Sequence, residues 1–364
     1  MYIKNIELSD FRNYESLNLE FDKNVNMILG QNAQGKTNLL ESIFLTSLGK
    51  SFRTTKDSEM ISFGKEYAKV AVNAVKEDEE VKIEIVLRKD GKIIKINDIK
   101  ARKNSELLEN VYVISFIPDD LKIVKDEPEK RRKFTDRELC QIKPAYYAAL
   151  SDYKKTLFQR NNYLKEENIN DDMLDVWDFK LSEYGAKLIF YRRAFIEKLS
   201  VISSILHKSI TQEKEDLSLY YESNINSEGS MKQIQAAFYE ELKQKRKHDK
   251  LQRTTSKGPH KDDIKIVING IDIRHFGSQG QQRTAALSIK LSEIRLIEEE
   301  TGEKAILILD DVLSELDSQR QKFLISSLSD VQLFISATEL PGDVEESLNR
   351  GKKYIVSEGK IKQI

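Results

Sequence analysis

Eight consecutive residues, Gly30-Gln31-Asn32-Ala33-Gln34-Gly35-Lys36-Thr37, satisfy G-x-x-x-x-G-K-[ST], a spacing with a definite chemical purpose. The glycines let backbone N–H groups turn inward around phosphate oxygens. A following helix start adds favourable partial charge, Lys36 reaches the terminal phosphates, and Thr37 brings a hydroxyl that ligates Mg²⁺. A nucleoside triphosphate site is therefore expected at Gly30 to Thr37, with Asn38 leading the helix. Far downstream, Ala305 to Leu309 reads as a buried strand that runs into Asp310-Asp311. Carboxylates at the carboxyl end of an apolar strand are what Mg²⁺-assisted phosphoryl chemistry needs, because ligands of parallel sheets collect there. Asp310 joins Thr37 in the expected metal shell, and Asp311, the catalytic partner of Lys36, would orient or deprotonate an attacking water. A third segment, Phe276 to Thr284, precedes a helical stretch from Ala285 to Glu298 and offers a second small-residue helix start able to hold a phosphate group.

These residues need a sheet and helices to position them. Period-two alternation at Leu17, Leu19, Phe21 and again at Val25, Met27, Leu29, with Asp22-Lys23-Asn24 between, predicts strands leading into the Gly30 loop. Asn38 to Leu45 then predicts a helix packed on that sheet. Two hairpins are expected, one from Val81, Ile83, Ile85, Leu87 with Asp90-Gly91 as its turn, the other from Ile264, Ile266, Ile268 with Asn269-Gly270. From about Pro128 to Arg253 the texture becomes long and charged with helical spacing, as in Trp177, Leu181, Tyr184, Leu188, Tyr191 and Phe195, a stripe read as core packing. Strands are expected again at Ala305 to Leu309 and Val331 to Ile335, with a helix from about Asp317. The organisation predicted is an α/β head with mixed sheets, residues 1–127 and 254–364, interrupted by a helical lobe at 128–253 inserted between the phosphate loop and the acidic strand end.

Composition removes other classes. With 39% hydrophobic residues, 33% charged and only 5 Pro, the 364-residue chain suits a folded, charged protein and not a disordered or fibrous one. Fifty-nine basic against 60 acidic side chains leave a net charge of −1, so nucleic-acid binding would need a local basic face. A single cysteine, Cys140, permits no internal disulfide and suits a reducing, cytoplasmic setting. The polar-alternating start, Met1 to Leu8, and the lack of a long apolar run predict no signal peptide and no membrane partner.

Five ordered motifs carry a resemblance that covers the chain end to end. They are Asp10-Phe11-Arg12-Asn13-Tyr14, Gly30 to Asn38, Gly258-Pro259-His260-Lys261-Asp262-Asp263, Ser278-Gln279-Gly280-Gln281-Gln282-Arg283-Thr284, and Leu309 to Asp317. Together they resemble the ABC-type ATPases that act on DNA, the clan of the structural-maintenance-of-chromosomes heads, and within it the RecF family. The resemblance implies an ABC-type ATPase head with ATP and Mg²⁺ as cofactors. It also implies an ATP-dependent homodimer in which the signature residues Ser278, Gln279, Gly280 and Gln281 of one subunit cap ATP held by the other. Arg12 matches an N-terminal arginine that approaches the nucleotide, Asp317 matches the loop that communicates between sites, and Thr338 falls where relatives carry a switch histidine. The implied activity is weak ATP hydrolysis coupled to binding of double-stranded and gapped DNA in replication and repair, with RecR and RecO assisting RecA loading.

Three departures bear on that expectation. Asp311 stands where the clan usually has glutamate, which predicts slow hydrolysis; no histidine occupies the switch position; and no lid glutamine follows the strand at Val111 to Phe116. Two charged stretches are candidate DNA or partner surfaces: Lys130, Arg131, Arg132 and Lys133, and Lys243 to Arg253 with Lys245, Arg246 and Lys247. A transporter-type ATPase subunit and a P-loop phosphotransferase are the competing readings of the phosphate loop.

Overall fold

Near the N-terminus alternate apolar residues bury one face of an extended chain. Strands β1 (Tyr2–Phe11) and β2 (Tyr14–Glu20) form a hairpin with Leu8 opposite Leu17 and Ile6 opposite Leu19. The computed structural model describes residues 1–328, 330–348 and 351–364, and the chain divides into two units, Met1–Leu121 with Ala286–Ile364, and Lys122–Ala285.

In the first unit β3 (Val25–Leu29) leads through the Gly30 loop into α1 (Lys36–Leu48), followed by β4 (Tyr67–Lys76), β5 (Glu79–Arg88), β6 (Gly91–Ile96), β7 (Ile99–Lys100) and β8 (Val113–Phe116). One antiparallel sheet has the order β2-β1-β4-β5-β6-β7. In the β5–β6 hairpin Arg88 pairs with Gly91, so Lys89 and Asp90 form the turn and Gly91, expected within it, opens the next strand. The alternation read at Val25, Met27 and Leu29 located β3 but not its surroundings. Asn26, Met27 and Ile28 are all buried, because β3 is a central parallel strand covered on both faces. Asn26 is accommodated by exchanging hydrogen bonds of 2.8 Å with the backbone of Asp22.

The second unit contains α2 (Pro128–Ile142), α3 (Pro144–Tyr163), α4 (Asp171–Thr211), β9 (Leu217–Glu222), α5 (Met231–Gln252), β10 (Asp263–Ile268), β11 (Ile271–Asp272), α6 (Ile273–Phe276) and the start of α7 (Gln279–Thr301). Helix α4, 41 residues and so about 60 Å long, is the spine against which α3, α5 and β9 pack. Leu181 and Leu188 from the predicted stripe are fully buried and Phe195 nearly so, which makes these three core, while Trp177, Tyr184 and Tyr191 are half-buried at its edge. The lobe is not purely helical, however. Strand β9, unforeseen in a short polar-alternating segment between two long helices, pairs with β10 over Leu217–Glu222. This pairing draws residues 254–285 into the second unit, whereas the sequence suggested that they return to the head. The hairpin turn at Asn269-Gly270 forms as expected, both residues having positive φ.

Back in the first unit, β12 (Ile306–Asp310), α8 (Ser318–Ser326), β13 (Leu333–Ala337), α9 (Gly342–Ser347), β14 (Lys352–Ser357) and β15 (Lys360–Gln363) complete a second sheet of order β15-β14-β3-β13-β12-β8. Its five strands from β14 to β8 are parallel, so the carboxyl ends of β3, β13 and β12 emerge side by side. Helix α1 touches β8, β12 and β13 of this sheet and β4 and β5 of the other. Enclosed on two sides, it buries eleven of its thirteen residues, and Ser42, Thr46 and Ser47 satisfy their hydroxyls on the carbonyls three positions back. Among the described residues no helix is long and apolar enough to cross a membrane.

Candidate functional site

Sheet order places the chemistry. The registers Ala337 to Leu29 and Ser336 to Asp310 put the loop after β3, the end of β13 and the end of β12 in one row. Across that row Thr37 Oγ1 donates to Asp310 Oδ1 at 3.1 Å, although the two lie 273 positions apart in sequence. Ser336 Oγ donates to the same oxygen at 2.6 Å and accepts from the Asp311 N–H at 3.0 Å. Ser336 thus ties both carboxylate residues to the central strand. Asp311 itself has φ 53°, a left-handed turn that takes its side chain out of the strand direction, with its carboxylate 4.0 Å from Lys36 Nζ.

Lys36 is almost fully buried, and its ammonium donates to the carbonyls of Gly30 at 2.7 Å and Gln31 at 3.2 Å, bridging the two ends of the loop. The loop backbone depends on glycine at both ends. Gly30 has φ 153° and a Cβ there would meet the Val356 carbonyl; Gly35 has φ 120° and a Cβ would lie 2.6 Å from Asn13 Nδ2. From outside the loop, Asn13 Nδ2 at 3.0 Å and the Gly359 N–H at 3.1 Å pin the Gln34 carbonyl, and the Glu358 N–H at 2.7 Å pins its side chain. Tyr14 Oη donates to Gly35 O at 3.0 Å, and burial raises the pKa of that phenol. Asn32 accepts from Thr338 Oγ1 at 3.4 Å, so the exposed threonine at the expected switch position does reach the loop.

Burial pushes the Asp310 carboxyl above its ordinary range. Hydrogen bonds from Ser336 and Thr37 pull it back, the neighbouring Asp311 charge pushes it up again, and Arg53 opposes that. A buried carboxylate held by two neutral hydroxyls has no direct counter-charge, and its Oδ2 has no hydrogen-bond partner among the described residues. That donor set, one carboxylate oxygen beside one threonine hydroxyl, fits Mg²⁺, which takes few protein ligands and completes its shell with phosphate and water. No group of three or more His, Cys, Asp or Glu able to hold a metal occurs among the described residues.

Several residues at this site carried no signal that singled them out. Ser336 is one hydroxyl in an otherwise apolar buried strand, a contrast that marks it in hindsight. Glu41, fully buried in α1, receives both Arg12 Nε at 2.8 Å and Arg12 Nη2 at 2.7 Å, with Arg53 and Ser51 also bound to it. Asn38 Nδ2 donates to Asn13 Oδ1 at 2.8 Å and its Oδ1 accepts from Arg53 at 2.8 Å. Asp317 caps α8, accepting from the Arg320 N–H at 3.0 Å and pairing with that guanidinium. Gln31 and Ala33 complete the loop, Ala33 at φ 65°.

In the second unit the signature segment opens α7. Ser278 and Gln281 cap it reciprocally, with bonds of 3.2 and 3.0 Å between each side chain and the other's N–H, and Gln281 Nε2 donates to Glu215 at 2.9 Å. Ser278 and Gln279 are exposed and Gly280 is half-buried.

The basic stretches divide. Arg131, a candidate DNA contact, is 1% exposed: it pairs with Asp263 at 2.6 and 3.0 Å and donates to the carbonyls of Ile123, Val124 and Asp126, which removes it from any surface role. Arg132 donates to Asp262 O at 2.7 Å, Lys133 pairs with Glu129, and Arg246 is held by Asp175 and Asp178. Lys130, Lys245 and Lys247 are exposed.

A phosphate loop beside a hydroxyl-bridged acidic strand end, with a large insertion between them in sequence, defines an ABC-type ATPase head. Residues 2–340 match the family described as the RecF/RecN/SMC N terminal domain. The chain is 46% identical over 342 residues to the DNA replication and repair protein RecF of Clostridioides difficile (strain 630), covering 93% of this chain and 92% of that one. It is 45% identical over 365 residues to RecF of Clostridium novyi (strain NT), covering both chains fully. Among solved structures it superposes with TM-score 0.93 and 39% identity on "the recombination mediator protein RecF-ATPrS in RecFOR pathway", covering 100% of this chain and 98% of that one. An SMC head bound to the C-winged helix domain of ScpA shares the fold at TM-score 0.56 and 18% identity. The chain belongs to the RecF family.

Proposed function

We propose that this protein binds ATP with Mg²⁺ in the Gly30 loop and uses it to switch between a monomer and a homodimer that holds double-stranded DNA at single-strand gaps. The observation that carries the reading is the convergence of Lys36, Thr37, Asp310, Ser336 and Asp311 from three strand ends of one parallel sheet. The relatives add weight, since similar RecF structures are described with ATP and in the RecFOR pathway.

In this reading Lys36, already bridging the loop with two of its three N–H donors, directs charge at the terminal phosphates, and the N-terminal turn of α1 supplies backbone donors. Thr37 and Asp310 would hold Mg²⁺, whose charge would offset that of the phosphates. Asp311, turned out of its strand and anchored through Ser336, orients the attacking water; one methylene shorter than glutamate, it does so less effectively, which supports slow turnover. Ser278, Gln279, Gly280 and Gln281 of one subunit cap ATP held by the other, while Asp317 and Thr338 report nucleotide state. Lys130, Lys245 and Lys247 contribute to the DNA face, and RecR and RecO act with the bound dimer in RecA loading.

Light scattering of wild type and Asp311→Asn, with and without Mg-ATP and gapped duplex, tests this. An ATP-dependent doubling of mass that retains DNA and persists longer in Asp311→Asn is expected. A monomer that turns over ATP without retaining DNA would redirect the assignment to a phosphotransferase.

A further inference from the structure

Glu41 is a carboxylate with no solvent exposure, one helical turn beyond the phosphate loop. Its position follows from helical spacing: Thr37 and Asn38 lie four and three residues before it, so all three share one face of α1. Thr37 uses that face to meet Asp310, and Asn38 to meet Asn13 and Arg53. A carboxylate buried there without donors would be strongly unfavourable. Instead both oxygens are occupied, Oε2 by Arg12 Nε at 2.8 Å with Arg53 Nη1 at 3.5 Å, and Oε1 by Arg12 Nη2 at 2.7 Å and by the Ser51 hydroxyl. The paired Arg12 contact is the fork geometry that fixes a guanidinium in one plane.

Other contacts hold Arg12 from behind. Its Nη1 donates to Glu59 O at 2.6 Å, its backbone N–H donates to Met60 O at 2.9 Å, and its carbonyl accepts from Ser62 Oγ at 2.7 Å, the backbone itself at φ 53°. The side-chain bonds named use three of the five guanidinium N–H groups, and the next residue, Asn13, touches the loop itself, its Nδ2 donating to Gln34 O at 3.0 Å. Folding alone does not call for an ion pair here, since replacing a buried pair by hydrophobic residues of similar volume is often neutral or stabilising. The arrangement instead places two arginines at the border of the phosphate loop.

We propose that Glu41 is a positioning residue for nucleotide binding: its buried carboxylate holds Arg12, and more loosely Arg53, in the orientation from which Arg12 meets the nucleotide. This rests on the ATP site proposed above. Glu41 touches no nucleotide; it acts through Arg12. Its contribution therefore exists only when Arg12 is present, and this separates positioning from general support of the helix.

A double-mutant cycle on the full chain tests it. Mg-ATP dissociation constants are measured by calorimetry for wild type, Glu41→Gln, Arg12→Ala and the double variant, each with a thermal melt. Glu41→Gln is expected to weaken ATP binding roughly tenfold, the size of one charge-assisted hydrogen bond, and to add no further loss in the Arg12→Ala background. Should Glu41→Gln not fold, Ser51→Ala, which frees one side of the same carboxylate, is expected to cost about threefold and to lose that effect when Arg12 is absent. Losses that multiply in the double variant, or an unchanged ATP affinity in Glu41→Gln, would overturn the positioning role while leaving the ATP site intact. A wild type that does not bind ATP would overturn the site itself, and this inference with it.

Discussion

Gly30–Thr37 and Gly258–Asp263 are both short, glycine-led segments rich in polar and charged side chains, yet the fold treats them in opposite ways. In the first, Lys36 spends two of its three N–H donors on loop carbonyls and keeps one, while the Thr37 hydroxyl, donating to Asp310, keeps lone pairs to accept or to ligate a metal. In the second every polar group but the exposed Lys261 is turned inward. Arg192 donates to Pro259 O at 2.6 Å, Asp262 accepts from Asn224 and Tyr221, and Asp263 accepts from Arg131 and Arg274. His260 donates from Nε2 to Thr255 O at 3.0 Å, so its Nδ1 must accept from Tyr153 Oη at 2.7 Å. A motif becomes a site only where the fold leaves donors and acceptors unspent; where it consumes them all, the same residue types act as a structural clasp.

The largest effect expected on the clasp side comes from Arg160, fully buried between Asp178 at 2.7 Å and Asp249 at 2.8 Å and bonded to Thr255. Arg160→Ala takes the arginine from buried Asp249 and leaves Asp178 with Arg246 alone, and should cost about 3–5 kcal/mol of stability in urea unfolding, with ATP affinity of the folded protein unchanged. Comparable loss of ATP affinity would break the distinction between clasp and site.

His260 gives the clasp a pH signature. Burial lowers its pKa to about 4 from an ordinary 6.5, with the bond to Thr255 O only partly opposing this. Between those values the unfolded chain binds a proton that the native state does not, so stability falls as pH drops from 6.5 to 4 and levels off below. The full window is worth about 3 kcal/mol. Asp262, whose carboxyl burial raises, works in the opposite sense at the acid end. Unfolding free energies from pH 4 to 7 should show the slope in wild type and a flatter profile in His260→Gln; equal slopes would place the titration elsewhere.

On the site side, Lys36→Ala should lower ATP affinity by about a hundredfold, near 2.7 kcal/mol, and should cost less stability than Arg160→Ala, because it breaks two bonds to neutral carbonyls and takes no partner from a buried carboxylate. A melt shifted as strongly as in Arg160→Ala would mean that Lys36 is a clasp too.

The smallest effect belongs to the exposed lysines of α5. Lys245→Glu with Lys247→Glu should weaken DNA binding several-fold and reduce the slope of log affinity against log salt by about 0.9 for each phosphate that is no longer neutralised. Arg246→Gln, which disrupts the pair with Asp175 and Asp178, should leave that slope unchanged. Identical salt slopes in all variants would remove α5 from the DNA face.

Sequence order and spacing by themselves determined the phosphate loop, the acidic end of β12, the turn at Asn269-Gly270 and the core stripe of α4, because each depends on local geometry within a few residues. The helix start at about Asp317 was legible for the same reason, although the cap that Asp317 forms was not read there. What only tertiary structure decided depends on partners far apart in the chain. Ser336 bridges Asp310 and Asp311 because β13 lies between β3 and β12, and no local pattern states that order. Arg131 and Arg246 read as surface charge until Asp263, Asp175 and Asp178 arrive to neutralise them. Residues 254–285 join the second unit because β10 finds β9. Burying a charge or completing a sheet is a property of the assembled neighbours, and a one-dimensional pattern records the residue but not the partner that decides its role.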